Sequence, residues 1–365
     1  MFSACAIMSV YNEEDVIFET VSKLINNGLA VYVIDNGCTD STITRIQSLV
    51  GKGIIDIKTL ISIENDQHVF NLKEILEEVQ RLSMSLNYSW YMQVDADEIR
   101  YSPWPHLSLL EGIEKADVAG FNIIDYKLFN FRITEDFSFS NDFEYSMNLF
   151  SNNDLHSNIQ LKTWKKTNSI DLTLYGGHIP VRDNPLVYPL KFILKHYPIR
   201  GIEHGIKKLS VDRLPRYSPS EKARGWHIHY DNVNVNTLNG ILWDKSNLYF
   251  YDHEKECLKI HSESVDNMIN YFNILNTNDL SNLLNQISYK YSKNNNLDQL
   301  HVKSIISLAQ NIIELRLNGN IPPISVSKND YAILKFVLNC IVQFYSTQAQ
   351  PLHSLAINDI KFIIE

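Results

Sequence analysis

The chain has 365 residues, 44% apolar and 21% charged, a balance that excludes wholesale disorder. Lysine and arginine number 33 against 42 aspartates and glutamates, and the resulting charge of −9 argues against polyanion binding as the main task. The four cysteines, Cys5, Cys38, Cys257 and Cys340, lie far apart with no C-x-x-C, so a reducing, cytoplasmic setting is expected rather than a disulfide framework or structural zinc.

The N-terminal apolar run lacks a basic flank and is cut short by Tyr11-Asn12-Glu13-Glu14, unlike a signal peptide. No apolar stretch is long enough to span a bilayer, which leaves peripheral contact with a membrane surface open. Ala4 to Val10 reads as a first strand. Asn12 is placed to cap a helix with Glu13, Glu14 and Asp15 in its first turn, Ile17, Val21, Leu24 and Ile25 on its apolar stripe, and Gly28 at its end. Val31 to Ile34 predicts a second strand, closed by Asp35-Asn36-Gly37. Thr39 or Asp40 can cap a helix running through Ile43, Ile46 and Leu49. Ile54 to Leu60 predicts a third strand, Leu72, Ile75, Leu76, Val79 and Leu82 a third helix, and Trp90 to Val94 a fourth strand ending at Asp95-Ala96-Asp97-Glu98.

Such alternation implies right-handed crossovers and a mostly parallel α/β sheet with flanking helices, whose ligands gather beyond the carboxyl ends of the strands. Three polar clusters fall at those ends: Tyr11 to Glu13, Asp35 to Asp40, and Asp95 to Glu98. Further on, Val118 to Ile124 reads as another strand, and prolines at 180, 185, 189, 198, 215 and 219 mark turns. The remainder predicts helices, including about 328–346 and 351–364. The expected division is a catalytic-type domain over 1–255 and a helical domain over 256–365.

On an extended segment Asp95 and Asp97 point the same way, and two hard oxygen donors without thiolates suit Mg²⁺ or Mn²⁺ together with substrate phosphates. The plainer reading is a solvent-facing strand end. Asp35 and Asp40 bracket a turn where a carboxylate can accept hydrogen bonds from a ribose or base edge, or simply cap the helix.

Taken in order, Ala6 to Asp15, Tyr32 to Thr42 and Trp90 to Ile99 resemble the opening of a family 2 glycosyltransferase with the GT-A fold. The likeness covers roughly residues 4–125. Gly176-Gly177-His178-Ile179-Pro180, Lys195 to Arg200 and Arg224 to Asp231 are similar to a bacterial subgroup of that family. The resemblance implies a nucleotide-sugar pocket lined by Tyr11, Asn12, Glu13, Asp35 and Asp40. It also implies a DXD motif in which Asp97 ligates the divalent metal and Asp95 lies nearer the ribose. His196 is the expected third ligand and His178 the alternative. The implied donor is a UDP-sugar, and the acceptor a surface glycan or glycoconjugate. The C-terminal helices are left to bind an acceptor, a partner or a second copy of the chain.

Expulsion of a nucleoside diphosphate needs positive charge. From Lys191 to Arg224 nine basic residues face only Glu203, Asp212 and Glu221, so that run can clamp a diphosphate, meet an anionic acceptor or lipid, or be a solvated helical surface. Asp142 is the nominal catalytic base among Asp136, Asp142, Glu144, Asp171 and Asp183. His227 and His229 share a face without implying a second metal. The chain lacks G-x-G-x-x-G, G-x-x-x-x-G-K-[ST] and G-x-S-x-G, and Glu98-Ile99-Arg100 after the second Asp is unlike a phosphatase. The rival of another class is a non-catalytic module that binds a sugar nucleotide or a partner.

Overall fold

The computed structural model describes residues 2–64, 66–118, 120–137, 143–151, 159–213, 216, 238 and 241–261. The chain gathers into two compact units, one of 1–114, 123–184 and 192–256, the other of 115–122, 185–191 and 257–365.

The chain opens with β1 (Ala4–Val10), α1 (Ile17–Asn26), β2 (Ala30–Asp35), α2 (Thr42–Ile46) and β3 (Ile54–Thr59). A hairpin of β4 (Ser62–Glu64) and β5 (Gln67–Val69) leads into α3 (Leu72–Ser85), β6 (Trp90–Asp95) and β7 (Glu98–Tyr101). Then come α4 (Leu109–Val118), β8 (Ile123–Phe131), α5 (Phe143–Ser146), β9 (Leu149–Ser151) and β10 (Thr163–Lys165). β11 (Ile170–Asp171) and β12 (Val181–Arg182) pair with each other, followed by β13 (Val187–His196), α6 (Ile202–Lys207), a π-helical turn Lys208–Arg213 and β14 (Tyr249–Phe250).

Ten strands share one sheet in the order β14-β9-β8-β10-β6-β1-β2-β3, with β7 and β13 paired off that path. The expected α/β architecture is present. The block β3-β2-β1-β6 is parallel, and beyond β6 the strands turn antiparallel. β1 is apolar on both faces because helices cover both, and Ala4 to Met8 are fully buried. α1 buries Ile17, Thr20, Val21 and Leu24, one stripe at helical spacing. α3 buries Ile75, Leu76, Val79 and Leu82, and Asn71 caps it by accepting the Glu74 N–H. Gly28 ends α1 at φ +88°, and a Cβ there would lie 2.9 Å from Leu110.

Three local expectations are corrected. Asn12 does not cap α1. The helix starts at Ile17 after Val16 without a side-chain cap, and the acid in its first turn is Glu19. α2 stops at Ile46, and Gln47–Leu49 tighten into a 3₁₀ turn. Val118 ends a helix rather than opening a strand: Leu109, Ile113 and Ala116 bury one face at helical spacing, Gly120 at φ +88° halts it, and β8 starts at Ile123. Within the second unit, Asn122 and Leu186 bond backbone to backbone at 2.9 Å and Phe121 packs edge-on to Tyr188. The helices expected at 328–346 and 351–364 lie outside the described residues. Among the described residues no helix is long and apolar enough to cross a membrane.

Candidate functional site

Parallel register brings the polar clusters to one edge of the sheet. Val10 pairs with Asp35 and Ser9 with Asp95, so β1, β2 and β6 end side by side. A cavity of about 320 Å³ opens at this edge. Its walls are the turn after β1 (Tyr11, Asn12, Glu13), the strand end (Gln93, Asp95, Ala96, Asp97), the start of α3 (Phe70, Leu72, Ile75) and the π-helical turn (Lys208, Asp212, Arg213). Ser9, Asn36, Lys162, Gly176, His178, His196 and Arg216 also line it.

β7 turns back beside β13 in a register that pairs Glu98 with His196, and the Tyr197 N–H donates to the Asp97 carbonyl at 2.9 Å. His196 Nε2 thereby comes to 3.7 Å from Asp97 Oδ2. Asn130 presents its carboxamide oxygen 2.6 Å from His196 Nδ1, so Nδ1 donates to it and Nε2 faces the carboxylate. Metal–donor distances of about 2.1 Å let one cation bridge donors up to about 4.2 Å apart. A ring nitrogen anchored on its far side is the usual support for such a ligand. Asp97 and His196 therefore fit a divalent ion. Asp95 is held elsewhere: its Oδ2 accepts from Lys162 Nζ at 3.1 Å. Among the described residues, the group whose three donor atoms lie within 4.8 Å of one another is Glu13, Asp15 and His204. All three also contact Arg200, through Glu13 Oε2 at 2.5 Å, both Asp15 oxygens, and His204 Nε2 at 2.9 Å.

Buried cations balance these acids. Lys208 Nζ donates to Glu13 Oε1 at 2.7 Å and to Asp97 Oδ2 at 2.8 Å. Lys162 Nζ also reaches Glu98 Oε1 at 2.8 Å, and Arg100 meets the other Glu98 oxygen at 2.6 Å. Burial alone would raise the Asp97 carboxyl, but Lys208, with His196 and Arg213, outweighs it and holds the group well below the usual carboxylate range. Glu98 behaves alike: burial raises it, Lys162 and Arg100 prevail, and it settles at about 2. Burial, then Arg200 and Lys208, push His204 down to about 2, so it stays neutral.

At the far end Arg216 lies over the Tyr11 ring, 3.4 Å from its centroid, and bonds Asn36 Oδ1 at 2.6 Å and His68 Nε2 at 2.9 Å. Asn12 sits at φ +51° and spans the turn, accepting the Thr39 N–H at 2.8 Å and donating to Asp212 at 3.0 Å. Of the expected pocket residues, Tyr11, Asn12, Glu13, Asp95, Asp97 and His196 line the cavity, as does the alternative His178. Asp35 and Asp40 are not among its lining residues. Asp35 accepts the Cys38 N–H at 2.8 Å, and Asp40 accepts the Thr42 N–H at 2.9 Å and its hydroxyl, as a capping turn does. Asp142, His227 and His229 fall outside the described residues.

Among its described residues the basic run is neither a solvated face nor a single clamp, and Lys222 and Arg224 lie outside them. Lys208, Arg213 and Arg216 enter the cavity, Arg200 is buried on Glu13 and Asp15, Lys195 is buried on Glu144, and Lys207 is exposed. Sequence reasoning missed Lys162 and Asn130. A lysine set among Leu161, Thr163 and Trp164 was the one available hint of a buried charge.

No protein-family model matches the sequence, and no curated protein matches it. Among solved structures, S. aureus TarS residues 1–349 is similar at 14% identity and a TM-score of 0.29, over 45% of this chain and 47% of that one. The same protein in complex with UDP gives 13% and 0.29 over the same shares. Glucosyl-3-phosphoglycerate synthase from Mycobacterium tuberculosis, in complex with Mn²⁺, UDP and glucosyl-3-phosphoglycerate, gives 18% and 0.23 over 35% of this chain and 44% of that one. The chain thus spans less than half the length of each of these structures. Its own geometry makes it an α/β protein with a charged cavity at the carboxyl ends of parallel strands.

Proposed function

We propose that the chain is a metal-dependent glycosyltransferase of the GT-A kind, moving a sugar from a nucleotide sugar, UDP-linked, to a hydroxyl of a glycan or glycoconjugate. The observation that carries this reading is the Asp97–His196 pair, Nε2 to Oδ2 3.7 Å, set in a cavity that also presents Lys208, Arg213 and Lys162. Among the described residues four carboxylates and four cations line the cavity, so a dianionic diphosphate brings a charge that calls for a divalent counter-ion. Held by Asp97 and His196, Mn²⁺ or Mg²⁺ would act as a Lewis acid on the leaving diphosphate. Lys208 and Arg213 offer hydrogen bonds to the same anion, and the apolar wall of Phe70, Leu72 and Ile75 offers a slot for the nucleoside. Tyr11 has one ring face already covered by Arg216. Asp142 remains the proposed base, and residues 256–365 a proposed acceptor- or partner-binding domain.

Calorimetry with UDP and GDP, in Mn²⁺ and then in EDTA, tests the reading. UDP binding that EDTA weakens by tenfold or more, and that Asp97→Asn also weakens, is expected. Binding without turnover of any UDP-sugar would favour the non-catalytic module. No nucleotide binding in either condition would refute the proposal.

A further inference from the structure

Lys208 occupies the point where Glu13 and Asp97 converge. Its Nζ is 2.7 Å from Glu13 Oε1 and 2.8 Å from Asp97 Oδ2, and that same Oδ2 is the atom 3.7 Å from His196 Nε2. An ion bridging that oxygen and His196 would therefore share it with an ammonium. The Lys208 side chain is 6% exposed and Asp97 4%, so little water screens the two cations from each other. Glu13 has no spare charge to offer, because its other oxygen is bonded to Arg200 at 2.5 Å. Among the described residues the lining charges already balance before any ligand arrives.

We propose that Lys208 makes divalent-cation binding conditional on the diphosphate. The bare site turns the ion away, and ion and diphosphate enter together as a charge-balanced pair, with Lys208 sharing the anion's charge. This rests on the nucleotide-sugar reading for the identity of the anion. It makes Lys208 a positioning residue for the metal, distinct from a tie that only fastens the π-helical turn to β1. Such a tie would change stability and leave the coupling between ion and nucleotide untouched.

The test is the Mn²⁺ affinity of the full chain, by calorimetry and by electron paramagnetic resonance of free Mn²⁺, without nucleotide and with UDP, after correction for Mn²⁺–UDP in solution. Wild-type protein is expected to bind Mn²⁺ roughly 5- to 150-fold more weakly without UDP, the usual span of coupling between sites. Lys208→Met should tighten binding of Mn²⁺ alone about tenfold and shrink the coupling by the same factor, whereas Lys208→Arg, which keeps the charge, should preserve both. Lys208→Gln keeps a donor for both carboxylates without the charge, and replaces Lys208→Met should circular dichroism show that variant unfolded. Equal wild-type affinity with and without UDP overturns the proposal, as does unchanged or weaker binding of Mn²⁺ alone in a folded charge-removing variant. If UDP binds under no condition, the transferase reading fails. The effect of Lys208→Met on Mn²⁺ alone then still decides what Lys208 does.

Discussion

Replacing Glu144 with glutamine removes a carboxylate that serves two lysines, Lys195 near the end of β13 and Lys23 of α1. Glu144 accepts from Lys195 at 2.6 Å and from the Tyr101 hydroxyl at 2.7 Å, and also bonds Lys23; its side chain is 13% exposed and that of Lys195 9%. Burial would raise its carboxyl, but Lys195 and then Lys23 prevail and bring it from 4.5 to about 2. At about 1.36 kcal/mol per pKa unit, a drop of about 2.5 units stabilises the fold by about 3 kcal/mol. Breaking a buried pair on one side costs about 3–5 kcal/mol, which agrees. A carboxyl depressed on folding stabilises fully above its unfolded value, and the effect is lost as pH falls from 4.5 towards 2. Urea unfolding followed by tryptophan fluorescence should therefore show Glu144→Gln less stable by about 3 kcal/mol at pH 7. The gap to wild type should narrow steadily below pH 4.5, because the unfolded wild-type chain then takes up a proton that the folded carboxyl does not accept until about pH 2. A difference under about 1 kcal/mol at pH 7, or one that does not change with pH, would refute the argument.

Asn130→Ala removes the anchor of His196 Nδ1, 2.6 Å away, and should weaken Mn²⁺-dependent UDP binding by roughly 10- to 100-fold with no comparable loss in EDTA, measured by calorimetry. Asp40→Ala should lower the unfolding free energy by about 0.5–2 kcal/mol in denaturant titration and leave UDP affinity within twofold, since its carboxylate serves a capping turn. Gly177 holds φ +82°, and a Cβ there would lie 2.8 Å from Gln93 Oε1 and 2.9 Å from Leu76, so Gly177→Ala should destabilise by about 1–3 kcal/mol, read as a lower Tm. An unchanged Tm would mean that the turn relaxes freely.

Strands β1, β2 and β6 were legible because they are short apolar runs buried on both faces, each closed by a polar cluster at its carboxyl end. Val10, Asp35 and Asp95 could be placed at one edge from alternation alone. The antiparallel half was not. β9, β10 and β14 are two or three residues long, too short to carry a period, and they join the sheet through partners far along the chain. The site divides the same way. Tyr11, Glu13, Asp95 and Asp97 sit on predicted strand ends, whereas Lys162 and Asn130 acquire their roles only through β10 and β8. Asp35 and Asp40 share the strand-end address, yet their carboxylates serve nearby backbone and hydroxyl groups. No pattern of spacing separates an acid that faces a ligand from one that closes its own turn.

The long reach of the site's contacts bears on how the chain folds. Glu13 meets Arg200 and Lys208, and Asn12 meets Asp212, across 187, 195 and 200 positions. The parallel block up to β6 can form from the first hundred residues, but its carboxyl edge then holds Glu13 and Asp97 without their partners. Closure of so large a loop adds entropy cost only slowly with length, so the delay is one of time more than of energy. A nascent or prematurely ended chain that stops short of residue 200 would present an unbalanced acidic edge, and the nucleotide cavity should be among the last parts of this unit to form.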